Sequence, residues 1–167
     1  YGKTMGILGL GAIGKGVAKR AQGFGMKVLA YDVFWNEEYA KANDIIYATP
    51  EEIYQSCDFI TLHLPLTPET KNMIGYEQFC MMKPTAVFVN TARGGVVDED
   101  ALVRALKEGK IYGAGVDAFS SEPPANEELY TLDNLIMGSH CAASTTGAVE
   151  AMGRMAAQNL LKSLGKA

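Results

Sequence analysis

The sequence predicts a doubly wound α/β fold, an open parallel sheet with helices on both faces in three α/β/α layers. Three observations predict it. Short apolar strand candidates alternate with stretches of helical periodicity, and no hairpin signal such as Asn-Gly joins two strands. The run Ala86-Val87-Phe88-Val89-Asn90 is almost wholly apolar, as a strand covered on both faces should be. Finally, Gly9, Gly11 and Gly14 stand in the Gly-x-Gly-x-x-Gly spacing between the first strand candidate and the first helix candidate.

The first strand is predicted over 4–8, and the helix after it carries Ile13, Val17, Ala18 and Ala21 on one face. A turn of this kind aims the free N–H groups and the positive dipole end of the helix at whatever lies beyond the strand, which favours a phosphate. Gly9 permits the turn, Gly11 lets a pyrophosphate approach the backbone, and Gly14 lets the helix pack closely on its strand. A second strand, Lys27-Val28-Leu29-Ala30-Tyr31, ends in Asp32. That is the position at which a dinucleotide fold places the acid that binds the adenosine ribose; alone, Asp32 would read equally well as a strand-end turn former. Strand, turn, helix, strand and acid in one register predict a Rossmann-type dinucleotide-binding domain.

Residues 33–43 read as a polar stretch in which Phe34 and Trp35 either cover an adenosine pocket or lie at the surface, the commoner case. Thr49-Pro50-Glu51-Glu52 is a helix start, with a capping threonine, proline at the first position and acids in the first turn; this helix should end near Ser56. Residues 58–64 form the next strand candidate, closed by Pro65, with a loop over 66–69. A short helix around 76–82 stops before Pro84, and the strand over 86–90 leads into the glycine-rich loop Thr91-Ala92-Arg93-Gly94-Gly95. Asp98 caps a helix running to about Glu108, with Leu102 and Leu106 on one face and Gly109 as its stop. Strands over 114–117 and 134–137 flank a loop with two adjacent prolines. From Thr145 onward Val149, Met152, Ala156, Leu160 and Leu164 recur at helical spacing until Gly165.

The 167 residues suffice for one domain with a sizeable core, so a single domain over 1–167 is expected. A hydrophobic content of 48% with 20% charged residues excludes a disordered chain. With a net charge of −4 and scattered lysines, the chain has no basic surface for a nucleic-acid backbone or anionic lipid, and no apolar run reaches the length of a membrane span. Cys57, Cys80 and Cys141 lack metal-type spacing and cannot all pair within the chain, so no metal site is predicted and a reducing, cytoplasmic setting fits best. Cys141, beside His140, reads as a small buried residue rather than a thiol nucleophile. The chain starts at Tyr1, only three residues before its first strand, which suggests a piece of a longer protein.

In doubly wound sheets ligands bind beyond the carboxyl ends of the strands, and Asp32, His63, Arg93, Asp117 and His140 all sit at those predicted ends. Thr91-Ala92-Arg93-Gly94-Gly95, then Gly115-Val116-Asp117-Ala118-Phe119 with Glu122-Pro123-Pro124, then Ser139-His140 with Ala143-Ser144-Thr145, closely resemble the signatures of the D-2-hydroxyacid dehydrogenases. Within that family the chain is most similar to the D-3-phosphoglycerate dehydrogenase branch. The resemblance runs from Gly2 to about Gly165 and covers only the cofactor domain; the family's substrate domain, built from sequence on either side, is absent.

The resemblance implies hydride transfer between NAD and a small D-2-hydroxy or 2-oxo acid, with catalytic residues Arg93, Glu122 and His140. The chemistry suits these residue types. A histidine near neutral pKa can exchange the hydroxyl proton in either direction, a carboxylate beside it fixes its orientation and raises its pKa, and an arginine fork binds a substrate carboxylate at two points. Alone, His140 reads more often as a packed or exposed histidine, Arg93 as a surface ion-pair partner and Glu122 as a loop acid. His63 reads equally as strand-end packing or as a cofactor contact.

For NAD, the resemblance implies that Ala12 and Ile13 offer backbone N–H groups to the pyrophosphate behind Gly9, Gly11 and Gly14, and that Asp32 binds the ribose hydroxyls. Leu64 and Pro65 would line the adenosine side, Thr91 and Ala92 with Arg93 would flank the nicotinamide, Asp117 would hold its carboxamide, and His140 and Ala143 would lie beside it. No arginine follows Asp32, which argues for NAD over NADP, since a 2′-phosphate would meet a carboxylate. The chain departs from many relatives at Ala12, where an arginine is common, and at Leu64, where a hydroxyl is common. Relatives pair through this domain, implying a homodimeric parent, and the isolated chain is expected to bind NAD without turnover. Two other readings are an NAD-sensing corepressor on the same fold and a methyltransferase that uses the glycine turn for S-adenosylmethionine, with Gly14 and the Arg93 to His140 set against the latter.

Overall fold

The computed structural model describes residues 1–165 and divides the chain into two compact units, Tyr1–Met137 and a second beginning at Gly138. The first unit is built on seven parallel strands: β1 (Thr4–Leu8), β2 (Lys27–Tyr31), β3 (Ile45–Tyr47), β4 (Phe59–Leu62), β5 (Val87–Asn90), β6 (Gly113–Val116) and β7 (Leu135–Met137). Their order across the sheet is β3-β2-β1-β4-β5-β6-β7. Ile7 is paired with Ala30 on one side and Thr61 on the other, and Val89 sits opposite both Thr61 and Gly115. The strand order therefore reverses between β1 and β4, which is where such sheets open a crevice for a ligand.

The crossovers are α1 (Ala12–Gly23), α2 (Glu37–Ala42), α3 (Pro50–Ser56), α4 (Tyr76–Met81) and α5 (Glu99–Lys107). They divide between two cores. On one face Ala18 and Ala21 of α1 and Ala40 of α2 join Ile7, Val28, Ala30 and Ile45; on the other Ile53, Phe79, Leu102 and Leu106 from α3, α4 and α5 join Leu8, Ile60, Leu62 and Phe88. Alternate residues of β1 thus feed opposite cores, as the two-residue period of a strand requires. The Phe79 and Phe88 rings meet edge to face at 5.2 Å in the larger core.

The capping residues read from the sequence are in place. Thr49 Oγ1 accepts from the Glu52 N–H at 3.2 Å while Glu52 Oε2 accepts from the Thr49 N–H at 2.7 Å, a closed capping box on α3. Asp98 Oδ1 accepts from the N–H groups of Asp100 and Ala101 at the start of α5. Because α3 delivers the buried Ile53 and Tyr54 to the core, Thr49→Ala should lower stability by about 1 kcal/mol in a urea titration with an unchanged m-value. An unchanged midpoint would show that the box contributes nothing.

Three sequence expectations need correction. The stretch after Asp32 contains α2, capped by Asn36, whose Oδ1 accepts from the Tyr39 N–H at 2.8 Å. It also leads into β3, a three-residue edge strand too short to show alternation. Cys141, expected to be buried, is exposed.

In the second unit, Thr145 Oγ1 accepts from the Ala148 N–H at 3.2 Å and opens α6 (Thr146–Ser163), as its apolar periodicity predicted; no residue of α6 is buried. Among the described residues, no helix is long and apolar enough to cross a membrane.

Candidate cofactor and active site

The three glycines of the first turn have three different surroundings. Gly9 adopts φ +101°, and a Cβ there would lie 2.6 Å from the His63 carbonyl oxygen, so glycine is required both by conformation and by the neighbouring backbone. At Gly14 a Cβ would lie 2.1 Å from the Gly9 carbonyl oxygen, which is the close packing of α1 on its turn. Gly11 differs: a Cβ there would meet nothing within 4 Å. Its missing side chain leaves open space in front of α1, whose first turn carries no acid and whose N-cap, Gly11 itself, supplies no side-chain bond. The N–H groups and dipole end of a twelve-residue helix therefore face a gap.

Asp32 closes the turn from the side. Its Oδ2 accepts from the Leu10 N–H at 2.6 Å and its Oδ1 from the Phe34 N–H at 2.8 Å, while the Gly9 N–H donates to the Tyr31 carbonyl at 2.8 Å. Each carboxylate oxygen thus accepts one backbone N–H, which leaves a second lone pair on each. Of the adjoining aromatics, Phe34 is 90% exposed. Trp35 is half-buried, edge-on to Tyr47 at 5.0 Å, and donates Nε1–H to Glu37 Oε2 at 2.7 Å.

Past the ends of β4 and β5 a cavity of about 530 Å³ is lined by Ile13, His63, Leu64, Pro65, Leu66, Thr91, Ala92 and Arg93. It unites the α1 start with the two strand-end loops, so Ile13, Leu64, Pro65, Thr91, Ala92 and Arg93 line one cavity. Burial pushes the His63 imidazole below its ordinary pKa, so the ring is neutral at pH 7; its Nε2 shares a 3.1 Å hydrogen bond with the buried Thr61 hydroxyl. Leu66 was not singled out by the sequence, because its loop has no periodicity to mark it. A larger groove of about 790 Å³ lies between α5 and 125–128, lined by Arg104 and Lys107 with Asp100, Glu108 and Glu128. The smaller cavity, not this groove, lies at the strand ends where sheets of this kind bind their ligands.

Two loops of the first unit meet at Gly94, where a Cβ would lie 2.0 Å from the Phe119 carbonyl carbon. The contact sets the Arg93 turn against 118–122. The second loop is held further by Glu99 Oε1, which accepts from the Ser120 N–H at 2.6 Å, and by Glu122 Oε1, which accepts from the Phe119 N–H at 3.3 Å. Arg93 donates from Nη1 to the Ala92 carbonyl at 2.7 Å. Asp117 donates its N–H to the Asn90 carbonyl at 2.9 Å. His140 and Ala143 belong to the second unit, where His140 is exposed and adopts φ +52°, and the Ser144 N–H closes a turn on the Cys141 carbonyl.

A seven-stranded parallel sheet with a glycine turn at its switch point and an acid at the end of β2 defines a dinucleotide-binding protein. The family model described as "D-isomer specific 2-hydroxyacid dehydrogenase, NAD binding domain" matches residues 1–142, and the chain belongs to that family and is an NAD-binding domain of it. It is 48% identical over 161 residues to a glyoxylate reductase of Thermococcus gammatolerans, covering 96% of this chain and 48% of that protein. Similarity to a D-3-phosphoglycerate dehydrogenase of Methanocaldococcus jannaschii is also 48%, over 165 residues, covering 98% of this chain and 32% of the relative. Among solved structures, a glyoxylate reductase from Paecilomyes thermophila superposes with a TM-score of 0.93 at 34% identity, over 99% of this chain and 50% of that one. A D-lactate dehydrogenase with NAD+ from Lactobacillus jensenii gives 0.89 at 35%, over 99% and 54%. The chain thus spans about half the length of the glyoxylate reductases it matches.

Proposed function

We propose that the protein provides the cofactor half of an enzyme that moves a hydride between NAD and a small D-2-hydroxy or 2-oxo acid, with the substrate half supplied by sequence outside this chain. The observation that carries the reading is the open space at Gly11 in front of α1, flanked by the Asp32 carboxylate and by the cavity at Arg93. When bound, NAD accepts or returns the hydride. The N–H groups of Ala12 and Ile13 hold its pyrophosphate, Asp32 binds the adenosine ribose, Leu64 and Pro65 line the adenosine side, and Thr91, Ala92 and Asp117 serve the nicotinamide end. Arg93 binds the substrate carboxylate with its fork, and His140 exchanges the proton of the substrate hydroxyl. In the same reading Glu122 is the acid that sets the charge and tautomer of the histidine.

The substrate class rests on the two kinds of relative at 48% identity: glyoxylate and the 3-phosphoglycerate pair are the acids to assay. Relatives named as reductases and dehydrogenases favour the enzyme over the corepressor reading. The free thiols Cys57, Cys80 and Cys141 fit a reducing, cytoplasmic compartment, and the parent is taken to be a homodimer, as its family implies.

Calorimetric titration of this chain with NADH and NADPH tests the cofactor reading. NADH should bind, NADPH should bind at least about 100-fold more weakly because its 2′-phosphate meets Asp32, and Asp32→Ala should weaken NADH about 10- to 100-fold. Equal binding of both cofactors, or none by a folded chain, would sink the reading. The same preparation should show no turnover of glyoxylate, since a single domain does not enclose the reacting atoms; robust turnover would refute the assignment of a separate substrate half.

A further inference from the structure

Asn90 closes β5, and with Thr61 it forms the pair of polar side chains buried in the first unit; it is only 1% exposed. Every polar group of its side chain is engaged on the loop that follows. Oδ1 accepts from the Ala92 N–H at 3.0 Å, and Nδ2 donates to the Arg93 carbonyl at 3.0 Å. Its main-chain carbonyl accepts from the Asp117 N–H at 2.9 Å at the end of the neighbouring strand, β6. The side chain of one buried residue therefore ties down the Thr91 to Arg93 turn, placed above at the nicotinamide end, while the bond to Asp117 runs main chain to main chain and belongs to the pairing of β5 with β6.

The chemistry of the contact selects an amide. The turn presents one donor, the Ala92 N–H, and one acceptor, the Arg93 carbonyl, and an asparagine matches both at once. Aspartate has the same shape but no donor for the carbonyl, and alanine removes both bonds, leaving the buried Ala92 N–H without this acceptor and the Arg93 carbonyl with the longer bond from the Val96 N–H at 3.4 Å. Nothing in the strand itself requires this, since asparagine is depleted in strands by type.

We propose that Asn90 is a positioning residue for the nicotinamide end of the cofactor site, acting through the backbone at Ala92 and Arg93 rather than by touching the cofactor. The inference rests on the NAD reading of the site. It separates the two ends of the ligand: the adenosine end, held by the glycine turn and Asp32, is fixed by β1 and β2, whereas the nicotinamide end depends on the Asn90 tie.

The test is a titration of the wild-type chain, Asn90→Asp and Asn90→Ser with NADH and with ADP-ribose, which lacks the nicotinamide. Asn90→Asp should weaken NADH about tenfold, the equivalent of one lost hydrogen bond, and leave ADP-ribose within about twofold of wild type. Should Asn90→Asp not fold, the serine variant, which loses the reach but adds no charge, decides by the same criterion. Equal losses for both ligands would mark general damage to the domain and overturn the inference, as would unchanged NADH affinity. A wild-type chain that bound neither ligand would instead remove the NAD reading, and this inference with it.

Discussion

Gly11→Ala is expected to leave the protein folded and to weaken NADH at least about 100-fold, equivalent to nearly 3 kcal/mol of binding. The added methyl meets no protein atom within 4 Å, and Gly11 has φ −74°, an angle open to any residue. Stability should fall by no more than about 1 kcal/mol, the cost of replacing an N-cap glycine by alanine. In the proposed reading the methyl fills the space through which a pyrophosphate would reach the N–H groups of α1. Gly14→Ala provides the contrast. There the new carbon would lie 2.1 Å from the Gly9 carbonyl oxygen, so α1 must shift, stability should drop by about 1–3 kcal/mol or more, and affinity should fall with it. Thermal unfolding and NADH titration of both variants separate the two cases. If Gly11→Ala bound NADH like wild type, the pyrophosphate would not cross this turn, and the placement of the cofactor would be wrong.

Most of the fold was legible because its signals are local. Thr49 and Asp98 each cap the helix they were expected to cap, since a cap is a relation between residues two or three apart. Strands β1, β2, β5 and β7 stand out as apolar runs between breakers. Edge strand β3 does not: with three residues and two of them exposed, it has neither the length nor the burial that makes a pattern. Asp32 was found by spacing, but its double duty was not. That its carboxylate ties Leu10 depends on how β1 and β2 pair, which no sequence window contains, whereas its bond to Phe34 is the local turn a strand-end acid makes.

The site divides in the same way. Ile13, Leu64 and Arg93 share one cavity because the strand order reverses beside them, a consequence of topology that the glycine motif made readable. Asn90 was read only as the last residue of an apolar strand. Its role appears when the turn after it folds back, because an amide that serves two backbone groups at once has no signature of its own. The close approach of Gly94 to Phe119 is likewise a contact between loops that lie about 25 residues apart, and the two glycines in Thr91-Ala92-Arg93-Gly94-Gly95 do not say which of them another backbone touches.

Gly94→Ala should therefore be the most damaging single methyl in the first unit. The added carbon would sit 2.0 Å from the Phe119 carbonyl carbon and 2.2 Å from the Ser120 nitrogen, both backbone atoms that cannot rotate away. The two loops must separate, at an expected cost of about 3 kcal/mol or more in stability, the upper range for overpacking. Gly95→Ala is the control, since its nearest neighbour is the flexible end of Leu66 at 3.1 Å, and it should cost under about 1 kcal/mol. Where Gly94→Ala stays folded, the Arg93 turn has moved from 118–122, so NADH affinity should fall while the Leu10 to Asp32 bond at the adenosine end persists. Urea unfolding of both variants, with the amide of Leu10 followed by hydrogen exchange, reads all of this at once. Equal stabilities for the two alanine variants would mean that the loops are not held in contact in solution, and that Arg93 and Glu122 are carried by independent segments.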